Sequence, residues 1–175
     1  MRIRILPTTA MSAERTDDIA ALARQYGPNV FRAAWRILGN RAAAEDVQQQ
    51  LFLRLLESPP DAVQSWPAYL TASATRLAID VLRRQSRWRL LAPLWKSDEP
   101  DDSPADDAER AESARFMRRA LARLHPRDAS CFVMRHFHDL APAAIGAALG
   151  MSENHVSVAV HRARKALEKM QQEQS

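Results

Sequence analysis

The chain has 175 residues, a formal net charge of +4 and only 6% aromatic residues, which allows one domain or two small ones. Four glycines and a single cysteine argue against a turn-rich β fold and exclude an intrachain disulfide. No stretch approaches the roughly 18 apolar residues that a membrane span needs, so no membrane insertion is expected. Ala, Leu and Arg dominate and no segment sustains strand-like alternation, so the expected class is all-α. Met1 to Leu6 is too short and too charged for a signal peptide, which points to a cytoplasmic protein; Met11 is an alternative start. Cys131, among apolar neighbours, reads as a buried, inert thiol.

In chain order, residues 1–12 lack periodicity and read as a disordered tail, followed by a first helical domain over 13–92. Ile19, Leu22, Ala23 and Tyr26 share a helical face that Gly27-Pro28 is expected to interrupt. A second helix then carries Val30, Phe31, Ala34, Trp35 and Leu38 and ends at Gly39-Asn40. Val47, Leu51, Phe52, Leu55 and Leu56 form the inner face of a third, stopped by Ser58-Pro59-Pro60-Asp61. The prolines keep Ser58 to Ser65 from being helical throughout. Ser65 is then placed to cap a fourth helix running to about Trp88, with Trp66, Tyr69, Leu70, Leu77, Val81 and Leu82 as candidate core. Its end is strongly basic.

Residues 93–108 combine prolines with Asp98, Glu99, Asp101, Asp102, Asp106 and Asp107, a composition that cannot bury enough apolar surface to fold alone. They read as an acidic Pro-rich linker to a second domain over 109–175. There one helix carries Ala111, Phe116, Ala120, Leu121 and Leu124 and breaks at His125-Pro126. The next, Arg127 to Phe137, points Phe132, Val133 and Phe137 inward. Asp139 to Met170 then reads as a helix-turn-helix. Ala144, Ile145, Ala148 and Leu149 pack, Gly150 supplies a left-handed residue, and Ser152 caps a helix buried along Val156, Val160, Ala163 and Leu167. The HRARK run sets basic groups where they meet phosphates, and leaves the first turn of this helix for base edges.

The two charge signs are segregated. Arg76, Arg83, Arg84, Arg87, Arg89 and Lys96 stand almost unopposed, and the acidic run follows, which suits a polyanionic partner. No enzyme is expected, and neither a cofactor nor a metal. There is no glycine-rich phosphate loop and no nucleophile elbow, and His136 and His138 are spaced so that on a helix they point apart.

Three segments in order, AEDVQQQLFLRLL, WPAYLTASATRLAIDVLRR and LHPRDASCFVMRHFHDLAPAAIGAALGMSENHVSVAVHRARKAL, together resemble the extracytoplasmic-function (ECF) sigma factors. That resemblance implies a subunit that binds core RNA polymerase and directs it to promoter DNA. The first domain would be a region 2-like unit for the −10 element, and the second a region 4-like unit for the −35 element. Carried onto this chain, the polymerase-facing residues would be Glu45, Asp46, Gln49, Phe52 and Leu55. The −10 residues would be Ser65, Trp66, Tyr69, Arg76, Arg83, Arg84 and Arg87, with an unstacked base held near the Ser58 to Ser65 loop. The −35 residues would be Ser152, Asn154, His155, Ser157, His161, Arg162, Arg164 and Lys165. An anti-sigma factor or other regulatory partner is implied as well.

This sequence departs from the family pattern in places. Ala43 and Gln50 stand where relatives commonly have acidic residues, which reduces the polymerase-facing patch to Glu45 and Asp46. Arg76 replaces a common asparagine, and Ser157, Val158 and Ala159 occupy positions that are often polar or basic. Two other readings use the same helix-turn-helix. A stand-alone transcription regulator would leave the resemblance of Ala42 to Arg89 unexplained; an interaction adaptor that does not bind DNA is kept in view by the sparse basic surface of the last helix.

Overall fold

A computed structural model describes residues 8–91 and 108–173, with side chains over 17–88 and 109–173. Its described elements are seven α-helices: α1 Thr8–Leu38, α2 Arg41–Glu57, α3 Trp66–Leu91, α4 Ala108–Arg123, α5 Pro126–His136, α6 Pro142–Leu149 and α7 Glu153–Gln172. Among the described residues no helix is long and apolar enough to cross a membrane. The expected linker falls almost wholly outside the described residues.

Two expectations for the N-terminal part are corrected. Helical backbone begins at Thr8, inside the expected tail, because the run from Thr8 to Arg15 holds alanines and other residues compatible with extending the helix. The break at Gly27-Pro28 does not occur, and Pro28 lies within α1. A proline ring normally clashes with the Cβ before it, and Gly27 has none. Gly27 is also buried against α2, where an added Cβ would lie 2.8 Å from Gln48 Nε2. Burial of Ile19, Val30, Ala33, Ala34 and Ile37 along one side offsets the lost hydrogen bond, since each large side chain removed from water contributes about 1.5–3 kcal/mol.

Gly39 (φ 64°) turns the chain out of α1, and Asn40 caps α2 by accepting the Ala43 amide at 2.8 Å. α2 stops at Glu57, before the prolines. Ser65 does cap α3, though its hydroxyl accepts the Ala68 amide over a long 3.5 Å.

Helix α3 is the centre of the molecule. One side packs on α1 and α2, and another meets α4, α5 and α6. Ala72, Ala74 and Ala78 are all buried and let neighbouring backbones approach closely. Thr75, fully buried, satisfies its hydroxyl on the Thr71 carbonyl at 2.8 Å. The two halves therefore share packing instead of standing apart on a tether. One hydrophobic cluster runs from Ile37, Leu70 and Ile79 to Leu121 and Val133; a second sets Ala72 of α3 among Cys131, Met134, Ile145, Val156 and Ala159. Sequence periodicity had marked only one face of α3, and the small residues that meet the second half were not on it.

Candidate nucleic-acid interface

The C-terminal half builds the expected helix-turn-helix. Gly150 takes φ 64° at the end of α6, and Ser152 Oγ accepts the His155 amide at 3.3 Å to start α7. Gly146 was not singled out from the sequence, yet its requirement is the stricter one. An added Cβ there would lie 2.5 Å from the Met151 carbonyl oxygen, whereas at Gly150 nothing lies within 4 Å. A glycine on the inner face of α6 is the signal that marks such a close approach.

Val156, Ala159, Ala163 and Leu167 form the buried stripe of α7, with Val160 half-buried. Ala159, expected at the surface, is core: it lies three residues after Val156 and so on the same side. At about 100° per residue, Asn154, Val158, His161 and Lys165 lie nearly opposite that stripe, and all four are exposed. The other candidates flank this outward face or cap the helix, and all are engaged within the chain. Arg162 donates to the buried Asp128 carboxylate of α5 at 2.9 Å, His155 Nδ1 lies 3.0 Å from Ser152 Oγ, and Ser157 Oγ donates to the Glu153 carbonyl at 3.0 Å. Arg164 lies 3.6 Å from Glu168. Arg162 thus ties α7 to α5, although much of its side chain is still solvent-exposed.

On α3 the candidates divide differently. Arg76, Arg84 and Arg87 are exposed. Arg83 is half-buried and donates to the Leu124 carbonyl at the end of α4, so its guanidinium bridges the halves. Arg76 and Asp80 border two cavities. One, of about 200 Å³, is also lined by Arg54, Ser58, Tyr69 and Ser73. The other, of about 280 Å³, is also lined by His125, Pro126, Arg127 and Leu149 of the second half. Tyr69 therefore faces a cavity beside the Ser58 loop. Trp66 does not line it, and packs edge-on against Tyr69 with ring centroids 5.9 Å apart.

The candidates on α2 are also split. Asp46 and Gln49 are exposed, and Glu45 is held by Arg41 Nε at 2.9 Å. Leu55, read from the sequence both as inner face and as polymerase-facing, is a core residue, 4% exposed, and Phe52 packs against the same core; both follow Val47 and Leu51 around the inner side of the helix. Leu53 and Leu56 are the exposed apolar residues of this helix, 57% and 43% accessible, and they lie on the side of Asp46 and Gln49. Leu56 had been assigned to the core by its spacing, and Leu53 went unmarked.

Among the described residues, Cys131 and His138 titrate away from their ordinary values. Burial pushes the Cys131 thiol up to about 11, with the Asp128 carboxylate adding to the effect, which fits the inert thiol expected. Burial, with the Arg36 charge adding to it, lowers His138 to about 4. His138 Nε2 is buried without a hydrogen-bond partner, in the turn where Arg36 of α1 donates to the Phe137 carbonyl.

Two helical units, the first organised on α1 to α3 and the second ending in a helix-turn-helix, define the sigma-70 architecture. Residues 22–88 match Sigma-70 region 2, and residues 117–167 match Sigma-70, region 4. The ECF RNA polymerase sigma factor SigE of Mycolicibacterium smegmatis is 30% identical over 92% of this chain and 66% of its own. BldN of Streptomyces coelicolor, also an ECF RNA polymerase sigma factor, is 26% identical over 90% of this chain and 62% of its own. SigL of Mycobacterium tuberculosis is 29% identical over 84% of this chain and 85% of its own. The chain thus spans slightly less than two thirds of the length of SigE and BldN. The crystal structure of M. tuberculosis SigJ, 25% identical, superposes with a TM-score of 0.50 over 87% of this chain and 52% of that one. Bartonella quintana RpoE, solved in complex with the anti-sigma factor NepR, shares the fold at 15% identity, with a TM-score of 0.56 over 89% of this chain and 97% of that one. The chain belongs to the extracytoplasmic-function sigma factors.

Proposed function

We propose that this protein is a promoter-specificity subunit of bacterial RNA polymerase, acting in the cytoplasm, that recognises −35 and −10 elements and helps to melt the promoter. The observation that carries the reading is that one chain holds two separate exposed helix faces bearing basic residues. α7 presents Asn154, His161 and Lys165 outward for duplex DNA. α3 presents Arg76 at a cavity that Tyr69 lines, and Arg84 and Arg87 exposed further along the helix. A stand-alone duplex reader has no need of the second surface. In this reading an unstacked −10 base enters that cavity against Tyr69, where stacking returns about 1–3 kcal/mol, and the arginines follow the phosphates.

The face of α2 with Asp46, Gln49, Leu53 and Leu56 is the proposed contact with core polymerase, apolar residues taking part of the role left by Ala43 and Gln50. The acidic linker over 93–108 lets region 4 reach a separate DNA element. Because Arg83 is bonded to the Leu124 carbonyl and the space beside Arg76 is shared with His125, Pro126, Arg127 and Leu149, departure of region 4 from α3 would free Arg83 and widen the approach to Arg76. A regulatory partner such as an anti-sigma factor would act by setting this equilibrium.

The test is reconstitution of the full chain with core polymerase. Holoenzyme assembly and run-off transcription from a promoter selected out of a random library are expected; a chain that does not bind core polymerase overturns the proposal. Arg84→Ala with Arg87→Ala should weaken promoter binding uniformly across sequences and reduce its salt dependence by about one ion per arginine removed.

A further inference from the structure

Val158 is 44% exposed, and among the described residues it is the large hydrophobic side chain that the region 4 half leaves in solvent. A single exposed valine is common on protein surfaces, so exposure alone assigns it nothing. Its position does. Val158 follows Asn154 by one helical turn and precedes His161 and Lys165 on the face opposite Val156, Ala159, Ala163 and Leu167. α7 packs on α4, α5 and α6, and that packing runs through the buried stripe. A β-branched residue at an exposed helix position is also mildly unfavourable for the helix. Neither helix propensity nor core packing therefore accounts for a valine here.

The face it occupies is the one proposed to enter a major groove, and the inference rests on that reading. Within the groove the base edges carry donors and acceptors throughout, with one apolar group, the C5-methyl of thymine. An apolar side chain among polar ones on a reading surface is complementary to that group. We infer that Val158 is a specificity-determining residue of α7 that packs on a thymine methyl in the −35 element. Asn154, one turn earlier, can pair bidentately with adenine. Four residues of helix advance about 6 Å, against about 3.4 Å per base pair, so the two contacts fall one or two base pairs apart. The sense of α7 in the groove sets Asn154, near the helix start, deeper than Lys165, which is left for a phosphate.

The test uses the full chain assembled with core polymerase and a −35 element selected from a random duplex library. Each thymine of that element is replaced in turn by uracil, which removes the methyl and nothing else. At one position the replacement should weaken binding about fourfold, the value of one buried methyl-sized group. Val158→Ala should lose about the same factor on the thymine duplex and be indifferent to uracil at that position, with its melting temperature unchanged. A selected element without thymine, uniform tolerance of uracil by the native chain, or uracil sensitivity that persists in Val158→Ala each overturns the assignment. Selection that yields no −35 preference at all overturns the placing of α7 in the groove as well, so the two failures are distinguishable.

Discussion

Helices α3 and α7 carry the two proposed DNA surfaces, and the rest of the chain treats them in opposite ways. α7 is amphipathic in the ordinary sense: one stripe is core, and the opposite face is left to solvent. α3 is held from two directions, with α1 and α2 on one side and α4, α5 and α6 on another, so that Arg83 is spent on the Leu124 carbonyl and the exposed Arg76 borders the seam. A reader of intact duplex can be displayed permanently, because its ligand is already formed. A surface for unstacked bases is useful only once polymerase is engaged; in this chain the second half holds Arg83 and borders Arg76, while the cavity at Tyr69 is lined by α2, α3 and Ser58 alone.

Breaking the seam should have the largest effect. Ala72 is 1% exposed, on α3 against Cys131, Met134 and Ile145. In Ala72→Arg an unpaired charge would have to be buried there, at a cost of several kcal/mol, so region 4 is expected to leave. The hydrodynamic radius should then grow, and affinity for a single-stranded −10 oligonucleotide, followed by fluorescence anisotropy, should rise about tenfold, equivalent to about 1.4 kcal/mol. An unchanged radius and affinity would mean that the second half does not limit α3.

The reverse experiment disturbs α7 and spares α3. The Cβ of Gly146→Ala meets a backbone carbonyl that cannot swing away, and should cost region 4 about 2 kcal/mol in chemical denaturation. Gly150→Ala meets no atom and carries only the left-handed backbone strain, about 1 kcal/mol. Duplex binding should fall in that order, with −10 oligonucleotide binding no weaker than in the native chain. Equal effects of the two substitutions would contradict the close approach at Gly146.

The seam should also respond to pH. His138 titrates at about 4 when folded, against an ordinary value of 6.5. The less folded state therefore binds more protons between those values. The associated stability is complete above about pH 6.5 and is lost as pH falls toward 4. His138→Leu should remove that part of the pH slope in thermal melts, and an unaltered slope would assign it elsewhere. Smallest is the cap: Ser152→Ala should cost about 1 kcal/mol, read as a lower melting temperature of region 4 alone.

Much of the architecture was legible from local signals. Gly39-Asn40, Ser58-Pro59-Pro60, His125-Pro126 and Gly150 with Ser152 each mark a boundary that the structure keeps, because turns and caps depend on a few adjacent residues. Pro28 misled because the competing effect lies outside its own segment: burial of α1 and the missing Cβ of Gly27 against Gln48 outweigh the lost bond. The candidate surfaces were legible as elements and less so as individual residues. Arg162 reads as a free basic group until Asp128, 34 residues away, is seen beside it. Leu53 and Leu56 differ from Leu51 and Leu55 only in rotation about α2, and Ala72 looks like any alanine until a second domain rests on it.

The sequence by itself determined the all-helical class, the order of the two halves, the helix-turn-helix and the family, since periodicity, caps and motif order are written in contiguous residues. Only the tertiary structure decided which arginines of α3 are free, which face of α7 looks outward and that the two halves share packing. Those properties belong to pairs such as Arg83 with Leu124, Arg162 with Asp128 and Ala72 with Cys131, whose members are far apart in the chain and meet only when the apolar surfaces of both halves are buried together.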